Sequence, residues 1–410
     1  MILVNTDPEP DQDAPAAGTV SDSTTLYRYG TRLQLKPAPD DSPADPGPRS
    51  GVRAVVDDDR ATHSYFVFAD GQLLHVHPGD TAGEVVASLP SIGEVAHGVG
   101  DGRSDGEKLE LRMYSHGPWV CVTERFGLHA ALVDTATGGV REMQREDYHA
   151  DVCSYSIGFL ERDGRTFLVA QTAWNRLDVF DVETWQCLTE REVEHPDKNY
   201  LDYFHSLLHV SPDSRHFLSN GWVWSPLDMV MAYSTKTFLQ GWDPTGVPFR
   251  GSGYNWDRPC TFVDDETFVV AVDNDGLDEP PRIGEQTSTD RPYHQLARVK
   301  LPHFPQGQIE DVSYVECDAF RPNAYGEVKG ELHYDPVTAR LVALTADGAC
   351  AVSLTGEILA RLPDVTTSQP SHGDLGSRYS GTSNWAYSDT HRLFYHWDDA
   401  TGIQEQAFPG

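Results

Sequence analysis

The sequence predicts an all-β chain, a seven-bladed β-propeller of four-stranded antiparallel blades. Three observations carry that expectation. The 35 Gly and 27 Pro are spread along all 410 residues, which imposes many turns and leaves little room for long helices. Short apolar runs alternate with Asp/Gly turns from residue 62 onward, the pattern of brief half-buried strands. The same unit of strand, turn, strand, strand and polar outer strand then recurs seven times. Taking the middle of each third strand as Val76, Val133, Phe180, Ala232, Arg298, Val352 and Tyr395 gives spacings of roughly 43 to 66 residues, the length of a propeller blade with variable loops.

In chain order, residues 1–24 read as a disordered acidic N-terminus, and residues 25–410 as one propeller domain. A strand near Leu26–Leu35 is placed to complete the last blade and close the ring, which removes its sheet edges. Residues 37–50, "PAPDDSPADPGPRS", form a Pro/Asp-rich loop. The clearest blade runs from Asp163 to Leu188, with "GRTFLVAQT" and "RLDVFDVET" as neighbouring strands and "DVETWQCL" turning into the outer one. In the fourth unit Phe217–Ser219 and Met229–Ser234 read as the second and third strands, joined by a long connection "NGWVWSPLD". An inserted loop over 276–294 widens the fifth, and a loop of that length without its own pattern is either disordered or functional.

The halves "HVSPDSRHFLS" and "LDVFDVETWQCL" resemble those of the WD40/YVTN propeller superfamily, although the terminal Trp-Asp is mostly missing. "TAWNRLDVFD", "YLDYFHSLLHVSPDSRHFLSNGWVWSPLDMVMAY" and "GYNWDRPCTFVDDETFVVAV" look more like a group of bacterial WD40-like repeat proteins without an assigned activity. The resemblance is good over residues 145–275. It implies the fold and leaves the function to the site.

A formal charge of −32 excludes general affinity for nucleic acid or an anionic membrane, which need clustered Lys and Arg. Only six lysines occur, and none is beside another. The acids are dispersed rather than concentrated in one tail, which favours an acidic proteome over an acidic face that attracts a cationic partner. Cys121, Cys153, Cys187, Cys260, Cys317 and Cys350 sit singly in apolar surroundings with no C-x-x-C pair, which fits a reducing cytoplasm. Neither a secretory signal nor an apolar run of about 18 residues is visible, so no membrane contact is expected.

Loops entering the innermost strands hold the candidate chemistry. Histidines from four blades, His97, His149, His205 and His372, form a candidate divalent-metal set, and no other cofactor is expected. His149, His205 and Asp257 are the candidate acid–base residues of an enzyme at the mouth of the central channel, whether hydrolase, lyase or oxygenase. The alternative for His205 and His149 is a structural tether, because buried imidazoles first satisfy hydrogen bonds. His205 and His209 are expected on one strand face, with Ser211 and Asp213 in the following turn. Gly102–Gly106 matches G-x-S-x-G but lacks the strand and helix a nucleophile elbow requires. Asp273–Glu279 does not have the spacing of a calcium loop. No complete catalytic signature remains. The favoured reading is therefore a monomeric scaffold that presents a rim of Trp174, Trp222, Trp256 and Asp202 to a protein or peptide, with a small molecule in the channel as a further option.

Overall fold

The structure is a computed structural model that describes residues 53–60, 63–92, 110–191, 200–224, 227–241, 246–250, 257–272, 295–304, 307–320, 328–367, 385–398 and 400–409. The N-terminus, the strand expected near Leu26–Leu35, the loops at 37–50 and 276–294, and His97, Trp256 and His372 lie outside them.

Seven separate antiparallel sheets follow one another along the chain. Blade 1 holds β1 (Arg53–Asp57), β2 (Tyr65–Ala69), β3 (Gln72–Val76) and β4 (Glu84–Ser88); blade 2 holds β5 (Leu111–His116), β6 (Trp119–Glu124), β7 (His129–Asp134) and β8 (Gly139–Gln144). Blade 3 has β9 (Ile157–Arg162), β10 (Arg165–Ala173) and β11 (Arg176–Asp181), its outer strand reduced to a single bridge between Phe180 and Cys187. Blade 4 has β12 (Phe204–Val210), β13 (His216–Val223), β14 (Leu227–Ser234), a short helix α1 (Thr235–Gly241) and β15 (Val247–Arg250). Blade 5 comprises β16 (Cys260–Phe262), β17 (Thr267–Val272), β18 (Gln295–Lys300) and β19 (Val312–Glu316). Blade 6 comprises β20 (Glu331–Asp335), β21 (Arg340–Thr345), β22 (Gly348–Ser353) and β23 (Ile358–Leu362), and blade 7 β24 (Ala386–Ser388), β25 (Leu393–Asp398) and β26 (Gly402–Gln406). No helix among the described residues is long and apolar enough to cross a membrane.

Burial falls outward along each blade, which explains the residue pattern. Second strands such as Trp119–Glu124 and Thr267–Val272 are buried on both faces between neighbouring sheets and read as continuous apolar runs. Outer strands such as Ile358–Leu362 alternate half-buried and exposed positions. Each pair of adjacent blades shares one apolar cluster, from Phe66 and Val120 between blades 1 and 2 round to Leu344 and Phe394 between blades 6 and 7. The ring closes by blade 7 packing on blade 1, through Tyr395 and Ile403 against Tyr65 and Val67. Tyr65 donates its hydroxyl to Glu405 at 2.5 Å and Ser388 donates to Asp57 at 2.6 Å across the same seam. Gly402, at φ +76°, lies so close to blade 1 that a Cβ would stand 2.1 Å from the Asp80 carbonyl.

Two strand assignments differ from expectation. Tyr395 lies in the second strand of blade 7, and the third is Gly402–Gln406, whose polar "GIQEQ" reads as an outer strand. In blade 4, β13 and β14 run past the expected strand ends and pair Trp222 with Asp228 and Val223 with Leu227. Most of the long connection is thus strand, since the backbone groups of "NGWV" are taken up by the ladder.

Candidate functional site

In a four-stranded meander, the 2–3 hairpin and the connection to the next blade emerge at the same end. That rule brings together four segments: the β8–β9 connection with Tyr148 and His149, the β10–β11 turn with Trp174, the β11–β12 connection with Tyr200, and the β13–β14 hairpin with Trp222 and Trp224. An eighth apolar cluster sits there, with Cys153, Phe204 and Trp222 buried and Trp174 packed on them.

Its geometry is a stack with rings set across it. Phe204 lies flat on Trp222, centroids 3.7 Å apart and planes 2° from parallel, and Trp174 approaches Phe204 at 4.3 Å. Trp224 stands at 89° to both Phe204 and Trp222, 5.3 Å from each. His149 is nearly perpendicular to Phe204, Trp222 and Trp224 at once. Tyr148 covers His149 at 4.4 Å and Trp174 at 5.6 Å. The contacts of Trp224 and His149 are edge-to-face, the favourable kind, whereas Phe204 on Trp222 is a close face-to-face stack held by burial. Trp222 is 3 % exposed while Trp224 is 47 % and Tyr148 46 % exposed, so a buried base carries a half-exposed apolar surface.

The backbone beneath is shaped for this. A β-bulge between Phe204 and Leu207 inserts an extra residue into β12 opposite β13. It sets Phe204 directly across from Trp222 and reverses the alternation, so His205 and His209 fall on opposite faces of the strand, contrary to the expectation from their spacing. Gly221 is obligatory here: a Cβ would stand 1.9 Å from the Phe204 carbonyl. Arg145, fully buried, holds the Tyr148 loop through hydrogen bonds to the Ala150 and Cys153 carbonyls at 2.8 Å each and to Gln171 at 2.6 Å. Burial lowers its pKa to about 10, so it stays charged at neutral pH. Trp222 donates its indole N–H to the Cys153 sulfur at 3.2 Å.

Asp257 forms the polar floor. Its carboxylate accepts from Ser154 Oγ at 2.7 Å and from the Leu207 amide at 3.2 Å, and Arg125 lies 3.8 Å away. Burial alone would raise its pKa, but Arg125 and the hydroxyls of Ser206 and Ser154 outweigh it and hold the group below the usual carboxylate range. Asp257 and His149 both adopt left-handed backbone, φ 59° and 52°. Asp257 therefore ties the blade 3, 4 and 5 entries together and does not project from the rim.

The first strands of successive blades lie against one another and form the wall of the central channel. A second polar cluster sits on that wall: Arg112 pairs with Glu331 at 3.0 Å, and His333 lies 3.6 Å from Glu331 and 3.4 Å from Asp389. Burial opposes charge on Glu331, but His333 and Arg112 hold its pKa down to about 2. Burial likewise opposes charge on His333, yet Asp389 and Glu331 raise its pKa to about 10. His209 shows the reverse: burial, with His333 nearby, lowers its pKa to about 4, and its Nε2 has no hydrogen-bond partner among the described residues.

The structure therefore brings His149, Trp174 and Trp222 into one aromatic cluster, with Asp202 exposed in the connection beside Tyr200. His205 is buried apart from it, Nδ1 3.0 Å from Ser219 Oγ; burial and Arg191 lower its pKa to about 3. Among the described residues no three His, Cys, Asp or Glu side chains are grouped to hold a metal. Sequence reading noted Trp224 beside Trp222 and His209 beside His205 without giving either a role, and passed over Tyr148 and Phe204 in the rim and Arg112 and His333 in the channel. The alternation of Trp222 and Trp224 was the one visible signal for the rim. Arg112 carries none, since its partner is 219 residues away.

No protein-family model matches the chain, and no curated protein matches it. Among solved structures it is similar to Kuenenia stuttgartiensis hydrazine synthase, at 12 % identity and TM-score 0.50, over 86 % of this chain and 94 % of that one. The WD40 domain of Neurospora crassa Pan2 aligns at 10 % identity and TM-score 0.48, over 90 % of this chain and 93 % of that one. With 824 matching chains, the likeness identifies the fold alone. That fold is the seven-bladed propeller expected from the repeated unit.

Proposed function

We propose that this chain is a propeller platform, without a reaction of its own, that holds a protein or peptide partner on the aromatic rim over blades 3 and 4. The single observation carrying this reading is the eighth cluster. Seven clusters each fill an interface between sheets, whereas this one leaves Trp224 and Tyr148 half exposed over a buried stack. A contiguous aromatic patch on a rigid base marks an interaction surface, and Trp and Tyr in such settings are the anchors that dominate binding energy. Six cysteines, all free thiols, suit a reducing compartment for such a protein. The test is affinity capture from lysate of the source cells with wild type and a Tyr148→Ala/Trp224→Ala chain. Partners held by wild type are expected to be lost from the variant, and equal recovery sinks the rim as the contact surface. Asp257→Ala is unsuitable for this purpose, because that carboxylate is a buried tie.

A second reading, an acid–base site in the channel, is favoured by two imidazoles pushed apart, His333 to about 10 and His209 to about 4, around the charged Glu331. Of the trio His149, His205 and Asp257, Asp257 is the one within electrostatic reach of His209. Screening wild type, His209→Gln and His333→Gln against hydrolase and lyase substrates tests it. An activity lost in both folded variants supports the site, and none in wild type removes it. A divalent metal belongs to this second reading, and elemental analysis of purified wild type and His205→Ala checks it.

A further inference from the structure

The geometry points to a cationic side chain of a peptide segment, arginine or lysine, as the group that docks against Trp224 and Tyr148. This inference rests on the rim being a peptide-binding surface and names the chemistry that the surface takes.

Two independent features converge on it. The first is the exposed aromatic surface itself. The ring faces of Trp and Tyr carry the negative end of the aromatic quadrupole, and a cation within about 6 Å of a centroid is attracted to it. Trp224 and Tyr148 present such surface at 47 % and 46 % exposure, while the rings behind them are packed against each other and take no ligand. The second is the charge bordering the patch. Glu146 precedes Tyr148 by two residues and is half-buried, and Asp147 and Asp202 are exposed. None of the three has an ion-pair partner among the described residues. The guanidinium groups of this region are already engaged: Arg176 and Arg191 both bind Asp178, at 2.7 and 2.9 Å, and Arg145 is consumed by backbone carbonyls and Gln171.

An incoming cation at Tyr148 therefore meets a ring face with the exposed Asp147 next to it in the chain and the exposed Asp202 two residues after Tyr200. An acidic or phosphorylated segment meets repulsion there and in the overall field of a chain with charge −32. A purely apolar segment would cover Asp147 and Asp202 without offering them donors, which costs desolvation. Arginine fits both features best, because its planar fork stacks on a ring while its N–H groups reach carboxylates.

The experiment must separate this site from general attraction of basic peptides to an acidic protein. The probes are three short fluorescein-labelled peptides of equal length, arginine–glycine, leucine–glycine–serine and glutamate–glycine, titrated by anisotropy in about 0.15 M salt, where exposed charges are screened beyond about 8 Å. The arginine peptide is expected to bind wild type best. Trp224→Ala, which leaves the charge unchanged, is expected to weaken it about fivefold or more, equivalent to ~1 kcal/mol. Tyr148→Ala provides the same test at the second ring. Asp147→Asn/Asp202→Asn is expected to weaken it and to flatten its salt dependence. The same loss of two charges on exposed blade 6 positions, Glu357→Gln/Asp364→Asn, is expected to do neither. Undiminished arginine-peptide binding in Trp224→Ala and Tyr148→Ala overturns the inference, as does an equal loss in the blade 6 control. If the leucine peptide alone binds in a Trp224-dependent way, the rim reading stands and the cation is wrong. If none of the three peptides binds, both fail.

Discussion

Replacing Arg258 with methionine should be among the most damaging single changes in the molecule, and adding Asp228→Leu should undo most of the damage. Arg258 Nε bonds Asp228 Oδ2, and both side chains are 2 % exposed. The pair links β14 of blade 4 to the entry of blade 5, and Asp228 is the cross-strand neighbour of Trp222. Asp228 Oδ1 has no hydrogen-bond partner among the described residues, so the carboxylate has little else to rely on. Removing the guanidinium leaves a buried unpaired charge and strips the Ala271 carbonyl of a donor 3.3 Å away. Breaking a buried pair in this way costs about 3–5 kcal/mol, whereas replacing both partners with apolar groups of similar volume is often neutral or better. The single variant should therefore lose about 4–6 °C in Tm, and the double variant should return to within about 2 kcal/mol of wild type. Urea unfolding followed by tryptophan fluorescence and far-UV circular dichroism, completed as a double-mutant cycle with Asp228→Leu alone, measures this. A single variant losing under about 1 kcal/mol, or a double variant no better than the single, refutes the claim that Asp228 depends on this buried ion pair.

The two tryptophans of one hairpin should behave oppositely. Trp222→Ala should cost about 3–5 kcal/mol of stability, and Trp224→Ala under about 1 kcal/mol, as thermal melts of each will show. His205 and His209, with pKa values lowered to about 3 and about 4 by burial, contribute stability that is present above their unfolded value near 6.5 and is lost as pH falls below it. Wild type should therefore lose stability from pH 6.5 toward 4, and His205→Asn should flatten part of that limb in urea titrations. His333 has the opposite sign: raised to about 10, it stabilises fully below pH 6.5 and loses that contribution as pH rises through 10. Glu331, lowered to about 2, adds stability above its unfolded value and loses it as pH falls toward 2. His333→Gln should remove the alkaline decline expected of wild type, and an unchanged alkaline limb would count against the Glu331–His333–Asp389 cluster.

Much of the blade architecture was legible along the chain because it is local. A strand buried on both faces, such as Thr267–Val272, must be apolar throughout, and a hairpin must turn at Asp and Gly. Both leave marks within a few residues. Six of the seven third strands were placed from such marks. The seventh, Gly402–Gln406, was missed because an outer strand contacts one neighbour and carries a weak pattern. The bulge in β12 left no mark either: His205 and His209 are four residues apart, and only the register against Trp222 and Asn220 shows that they face opposite ways.

The candidate sites were legible to a lesser degree, for a different physical reason. Trp174, Trp222 and His149 announced themselves as residue types, but a rim is a property of relative position. Tyr148, Trp174, Phe204 and Trp224 belong to four segments that meet because antiparallel strands return every second connection to the same end of the ring. Asp257 read as a channel-mouth acid–base residue by its place in sequence and became a buried tie because Ser154, 103 residues earlier, arrives beneath it. Composition and periodicity by themselves determined that this chain is a ring of seven small sheets with an acidic surface, since backbone hydrogen bonding and burial act between neighbours in sequence. Which aromatic rings stay exposed, which carboxylates find an arginine and which imidazoles hold a proton were decided only when the ring closed, because burial and Coulomb energy depend on distance in space.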